Sequence, residues 1–143
     1  VAIVFNKILV ALDGSDLSEQ VITTLKQFHL QPEMTVVLAH VIVNSGADPD
    51  IAVDRPQADT ETISHQQLEK LQSYQALLPC KSELELVMGE PAEEIIRLAN
   101  IHHVDLIVIG SRGLTGIKRI LQGSVSSQVV EEAPCSVFVV KLK

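Results

Sequence analysis

An open, doubly wound α/β sheet of five parallel strands, with helices on both faces, is the fold class this sequence predicts, and three observations predict it. Short β-branched and aliphatic runs alternate along the chain with longer amphipathic stretches, which is the pattern of successive strand–helix–strand units. The strand-like runs are mostly continuous and aliphatic, as befits strands buried on both faces, and only Leu84 to Met88 tends towards alternation. The hydrophobic residues, 46% of the 143, are mostly Val, Ile, Leu and Ala, with three Phe, one Tyr and no Trp. At this length a single domain spanning residues 1–143 is expected, large enough to hold a core without disulfides or metal.

The first strand is Lys7 to Leu12 (KILVAL), stopped by Asp13-Gly14-Ser15-Asp16. Asp16 with Glu19 has the form of a capping box, and Val21, Ile22, Leu25 and Phe28 fall on one face of the helix that follows. After Pro32 and Glu33, the run Thr35 to Val43 (TVVLAHVIV) predicts the second strand, ending at Asn44-Ser45-Gly46. Residues 47–60 are rich in Asp, Pro, Gln and Ala without a period, so they read as a mobile loop. Ile63, Leu68, Leu71, Tyr74 and Leu78 then place a second helix over about Thr60 to Leu77, closed by Pro79.

Leu84 to Met88 predicts the third strand. Gly89-Glu90-Pro91 opens a third helix, with proline near the first position and Glu93 and Glu94 in the acidic first turn. Ile95, Ile96 and Ala99 are its expected buried face. Asp105 to Ile109 (DLIVI) predicts the fourth strand, and a helix beginning near Gly123 runs to Pro134. Ser136 to Lys141 (SVFVVK) is the fifth strand, expected at an edge. In such a sheet ligands sit beyond the carboxyl ends of the strands where strand order reverses, so the segments after Leu12, Val41 and Ile109 are where a site is expected.

The formal charge of −7 and pI near 5.1 argue against a nucleic-acid partner. No apolar run reaches the length of a membrane span and no leader pattern is evident, so a cytoplasmic protein without a membrane partner is expected. Cys80 and Cys135 lack metal-type spacing and read as buried, unreactive thiols. His102-His103 has neither an H-E-x-x-H frame nor a cysteine partner, so no metal site is expected. His40, inside a strand, reads as a hydrogen-bonded core residue. With no G-x-S-x-G elbow, triad hydrolase chemistry is unsupported and no catalytic residue is assigned.

The informative stretch runs from Gly110 to Ser126, GSRGLTGIKRILQGSVS. It follows a strand directly and leads into a helix. Gly110 and Gly113 remove side chains where backbone must come close to a ligand, and Gly123 does so at the mouth of the helix. The N–H groups of Ser124, Val125 and Ser126 would then project unpaired from the helix end, an arrangement that receives phosphate. The stretch is neither a Walker A loop nor a dinucleotide fingerprint, since Gly-Lys-Ser/Thr and G-x-G-x-x-G are both absent. Arg112, Lys118 and Arg119 are nearby cations that either neutralise phosphate or face water.

The spacing Gly-x2-Gly-x9-Gly-Ser resembles the nucleotide-binding signature of the ATP-binding branch of the universal stress protein family. The resemblance extends to Ala11-Leu12-Asp13-Gly14-Ser15 and Leu38-Ala39-His40-Val41, and so to nearly the whole chain; residues 47–78 are its least diagnostic part. It implies a Rossmann-like fold of the adenine nucleotide alpha hydrolase type. It also implies that Gly110, Gly113, Gly123, Ser124, Val125 and Ser126 surround phosphates and ribose, that Asp13 approaches the ribose, and that Val41 bonds adenine through its backbone. Ala11 and Leu12 then form part of the adenine pocket; Arg112 joins the candidate binding residues as a cation of the glycine-rich stretch and not through the resemblance.

The expected ligand is therefore ATP or AMP, with Mg²⁺ as a companion of a triphosphate for which no protein ligand is evident. A stress-response regulator or sensor that binds better than it turns over is the leading reading, with at most slow hydrolysis or autophosphorylation. A slow ATPase or phosphotransferase and a nucleotide-free dimeric interaction module are the alternatives. Nucleotide occupancy is expected to order residues 47–60 and so to alter the surface offered to an unknown protein partner. The apolar fifth strand, 136–141, is expected to pair with its counterpart in a homodimer, as family members do.

Overall fold

The strands β1 (Lys7–Leu12), β2 (Thr35–Val43), β3 (Lys81–Gly89), β4 (Leu106–Gly110) and β5 (Ser136–Val140) alternate with α1 (Ser18–Lys26), α2 (Gln57–Gln75), α3 (Pro91–His102) and α4 (Ser124–Glu132). They come from a computed structural model that describes residues 5–13, 18–43, 57–111 and 124–141. All strand pairs are parallel, and the sheet order is β3-β2-β1-β4-β5. The doubly wound sheet expected from the sequence is the one observed, with β5 at an edge.

The central strand β1 explains why its sequence is apolar on both sides. Ile8, Val10 and Leu12 face one layer with Val36, Leu38 and Val108, beneath Val21, Ile22 and Leu25 of α1 and Leu71 and Tyr74 of α2. Leu9 faces the other with Val37, Ala39, Val41, Ile107 and Ile109, beneath Ala92, Ile95, Leu98 and Ala99 of α3 and Val129 of α4. Successive side chains of a strand leave opposite faces of a sheet, so a strand between two helical layers favours apolar residues at successive positions. At the edge, Phe138 of β5 makes an edge-to-face contact with Phe28, the ring centroids 5.0 Å apart.

Several boundaries differ from those the sequence suggests. Residues 57–60, expected in a loop, open α2; the helix's first turns (Gln-Ala-Asp-Thr-Glu-Thr) carry no apolar period, so the pattern there signals nothing. Residues 47–56 lie outside the described residues. β3 begins at Lys81, before the apolar run, because it is an edge strand and all nine residues pair with β2. Edge strands carry charge, here Lys81, Glu83 and Glu85, which breaks an apolar signal without breaking the ladder. On α3, Ala92 and Leu98 join Ile95 and Ala99 in the core, whereas Ile96 is only half-buried.

Asp105 stands just before β4 because its carboxylate accepts the backbone N–H groups of Asn6 at 2.9 Å and Lys7 at 3.0 Å. It thereby ties the start of β1 to β4. Of the anticipated capping box before α1, Glu19 lies in the first turn and Asp16 lies outside the described residues.

The β3–α3 turn is set by local chemistry. Glu90 caps the helix, its carboxylate accepting the Glu93 N–H at 2.8 Å, and Pro91 occupies a first-turn position that has no use for an N–H. Gly89 has φ +154°, and a Cβ placed on it would stand 2.9 Å from Glu94 Cγ. Glu94 cannot readily give way, since Arg97 holds its carboxylate at 2.7 Å. Gly89→Ala is therefore expected to lower stability by about 1–3 kcal/mol through backbone strain and this contact. Urea denaturation of the purified variant measures it, and a midpoint equal to the parent's would contradict the expectation.

Candidate functional site

The direction of strand order reverses between β1 and β4. From β1 the chain proceeds outward through β2 to β3, while β4 lies on the other side and leads to β5. α1 follows β1 onto one layer and α4 follows β4 onto the other. The helices that follow these neighbouring strands thus lie on opposite layers, and doubly wound sheets place ligands in the crevice beyond the carboxyl ends of strands at such a reversal.

The sequence-derived candidates divide around this crevice. Ala11 is half-buried on the layer that also holds Ile109, its partner in register, and Val41 on β2. Leu12 is buried on the opposite layer, so its side chain faces away from those of Ala11 and Val41. Asp13 follows β1 directly and is half-buried. Gly110 ends β4 in register with Val140, and the next residue, Ser111, donates its N–H to the Val140 carbonyl at 2.8 Å. Ser124 is the first residue of α4, Val125 packs into the core beneath that helix, and Ser126 is buried in its first turn. Arg112, Gly113 and Gly123 lie outside the described residues, as do Lys118 and Arg119.

The electrostatics of α4 distinguish it from the other helices. Every helix start leaves backbone N–H groups without intrahelical partners and carries a partial positive charge. α1 answers it with Glu19, and α3 with Glu90, Glu93 and Glu94. The first turn of α4, Ser-Val-Ser-Ser, has no acidic residue. The helix that follows β4 thus opens without a carboxylate among its own first-turn residues, and a helix start of that kind favours an anion.

Two polar residues at the site were not marked by sequence reasoning as belonging to it. Ser18, 2% exposed in the first turn of α1, donates its hydroxyl to Asp13 Oδ1 at 3.0 Å. His40, 6% exposed on β2, donates Nδ1–H to the Leu12 carbonyl at 2.9 Å. The reading of His40 as a hydrogen-bonded core residue agrees with this. A lone polar residue within TVVLAHVIV was the available signal for it; Ser18 carried none, since serine is ordinary in a first helical turn.

The remaining titratable groups stand elsewhere. His102 meets Glu85 at 2.6 Å between α3 and β3, whereas His103 takes the left-handed C-cap of α3 at φ 53°. Among the described residues no group of three or more His, Cys, Asp or Glu is placed to hold a metal ion. Cys80 and Cys135 are half-buried free thiols preceding the two opposite edge strands. Burial pushes both thiols above their ordinary value of 9.0, helped at Cys135 by the Asp105 carboxylate and partly offset at Cys80 by a backbone hydrogen bond. The thiolate is the reactive form, so alkylation by iodoacetamide is expected to stay slow at about pH 7–8 and to accelerate only above about pH 9. Mass spectrometry across that range tests this, and rapid labelling at neutral pH would contradict it.

The doubly wound sheet and its crevice define a Rossmann-like α/β protein. Residues 5–141 match the pattern of the universal stress protein family, and the chain belongs to that family. It is 31% identical over 147 residues to universal stress protein YxiE of Bacillus subtilis, covering 96% of this chain and 99% of that one. To universal stress protein MJ0577 of Methanocaldococcus jannaschii it is 30% identical over 159 residues, covering 99% and 98%. The solved structure of MJ0577 superposes with a TM-score of 0.84 at 29% identity, over 99% of each chain. A family member from Arabidopsis thaliana with AMP bound superposes with a TM-score of 0.69 over 96% of this chain and 92% of that one. Its identity of 22% makes that likeness one of fold. Among the described residues no helix is long and apolar enough to cross a membrane.

Proposed function

We propose that this protein binds an adenine nucleotide, ATP or AMP, in the crevice between β1 and β4, and acts as a cytoplasmic stress-response sensor. The observation that carries the reading is the first turn of α4: a carboxylate-free helix start beside the strand-order reversal, preceded in sequence by Gly-x2-Gly-x9-Gly-Ser. That is the local chemistry of a phosphate site in a chain whose net charge is −7. Gly110, Gly113, Gly123, Ser124, Val125 and Ser126 receive the phosphates and ribose, with Arg112 as a neutralising cation. Asp13 suits the ribose hydroxyls. Ala11 and Val41 supply apolar surface for the base from one layer, while Leu12 contributes its main chain.

Phosphate held largely by backbone N–H groups leaves no evident residue to position an attacking water, so binding exceeds turnover. Mg²⁺ accompanies a bound triphosphate through phosphate and water oxygens. β5 leaves Phe138 42% and Val139 39% exposed on an edge strand. Pairing with a second copy covers them, and a homodimer by sedimentation at micromolar concentration is the outcome this predicts.

The deciding experiment is to purify the protein without added nucleotide, denature it and identify released ligand by mass spectrometry, then titrate the protein with ATP, ADP and AMP. Stoichiometric adenine nucleotide, or binding lost in Gly113→Val, supports the reading. No ligand and no binding would leave a dimeric interaction module in its place, and multiple turnovers lost in the same variant would make it an ATPase.

A further inference from the structure

Among the described residues the buried polar side chains are Ser18, His40 and Ser126. All three stand at the carboxyl end of the sheet, one opening α1, one beside the tip of β1 and one in the first turn of α4. A buried polar group is costly unless hydrogen-bonded, so their concentration at one end of the molecule calls for a reason. Ser126 is already part of the proposed phosphate site; Ser18 and His40 are not.

What these two bond is informative. Ser18 Oγ donates to Asp13 Oδ1 at 3.0 Å, and His40 Nδ1 donates to the Leu12 carbonyl at 2.9 Å. A carbonyl oxygen can only accept, so the His40 proton resides on Nδ1. Two consecutive residues of one strand tip are therefore held from two different elements, the main chain of Leu12 by β2 and the side chain of Asp13 by α1. His40 is also the register partner of Leu12. A carboxylate on an unsupported strand end samples several rotamers, whereas one bonded to a buried hydroxyl, on a main chain fixed by a buried imidazole, is oriented before any ligand arrives. Preorganisation of this kind strengthens binding by removing the ordering cost.

We infer that Ser18 and His40 are positioning residues that preset Asp13 to receive the hydroxyls of a ribose, and so set the preference for a ribonucleotide over one that lacks those hydroxyls. The inference rests on the nucleotide reading above. A mere capping role for Ser18, or a packing role for His40, affects stability alone. A positioning role also affects the ratio of affinities for two ligands that differ only in the ribose.

The test is calorimetric titration of the full chain with ATP and with 2′,3′-dideoxy-ATP. The parent is expected to prefer ATP by about tenfold or more, the scale of hydrogen bonds to a charged acceptor. Ser18→Ala and His40→Leu are each expected to reduce that preference to about two- or threefold, with dideoxy-ATP affinity nearly unchanged. His40→Asn, whose amide N–H occupies the place of Nδ1, is expected to restore it. In an Asp13→Asn background Ser18→Ala should have no further effect on the ratio, since both act through one group. Leu25→Ala, a core change in α1, is expected to lower Tm and leave the ratio alone. A Ser18→Ala protein that binds ATP with the parent's full preference overturns the inference and leaves the nucleotide reading standing. A parent that binds neither nucleotide overturns both. If His40→Leu does not fold, Ser18→Ala, which removes a single oxygen, decides the matter.

Discussion

Ser124→Asp is expected to leave the fold at least as stable as the parent while weakening ATP binding by roughly a hundredfold. The two effects have opposite signs because they come from the same field. An acidic residue in the first turn of a helix interacts favourably with the helix dipole, typically by about 0.3–1 kcal/mol, and aspartate is a good residue at a helix start. α4 has no such residue, so the substitution supplies what α1 and α3 already have. A phosphate bound at that position competes for the same positive end and meets a carboxylate. At about 5 Å and an effective dielectric near 20, the repulsion from one phosphate charge is about 3 kcal/mol, or roughly two orders of magnitude in Kd. The loss should be larger for ATP than for AMP, and it should shrink as salt is added. Ser124→Ala, which removes a hydroxyl and adds no charge, should weaken binding far less. Calorimetric titration and urea denaturation of the same preparations measure both halves. Undiminished ATP affinity in Ser124→Asp would remove the α4 start from the binding site.

The largest stability effect is expected in the sheet and not at the site. Leu9 is fully buried on the central strand, packed in the layer beneath α3 and α4. Leu9→Ala removes its contacts to that layer and leaves a cavity that neighbours fixed in the ladder cannot collapse to fill. A loss of about 2–5 kcal/mol is expected. Against total stabilities of roughly 5–15 kcal/mol for natural domains, that is a large fraction of what holds the fold. The contrasting case is Ile101, an aliphatic residue of similar size on α3 that is 55% exposed. Ile101→Ala should change stability by no more than about 0.5 kcal/mol. Urea denaturation curves for the two variants provide the comparison, and a loss of under about 1 kcal/mol in Leu9→Ala would show that the layer repacks.

These two expectations draw on different parts of the sequence's legibility. Leu9 could be placed in the core from its run alone, because KILVAL has no polar face to turn outward. The start of α4 could be placed near Gly123 because Gly-Ser follows the glycine-rich stretch and Pro134 closes the helix. β3 was only half legible, since an edge strand mixes Lys81, Glu83 and Glu85 with its apolar residues. The first turns of α2 were illegible because they lack an apolar period. The spacing of Ile96 suits the buried face of α3, yet Ala92 and Leu98 join Ile95 and Ala99 in the core while Ile96 stays half-buried.

By itself the sequence determined the succession of strands and helices, the two-sided burial of β1 and β4, the proline and acidic residues that open α3, and the glycine motif that carries the family resemblance. These are properties of neighbouring residues, and periodicity and local turn chemistry record them directly. Only the tertiary structure decided that the strands run in the order β3-β2-β1-β4-β5, that Leu12 turns its side chain away from the layer of Ala11 and Val41, and that Asp105 ties β4 to β1. The same holds for the anchoring of the β1 tip, where His40 reaches Leu12 from 28 residues away and Ser18 reaches back to Asp13. Such bonds form because folding brings distant groups to one place and excludes the water that would otherwise satisfy them. No local pattern in the chain records that.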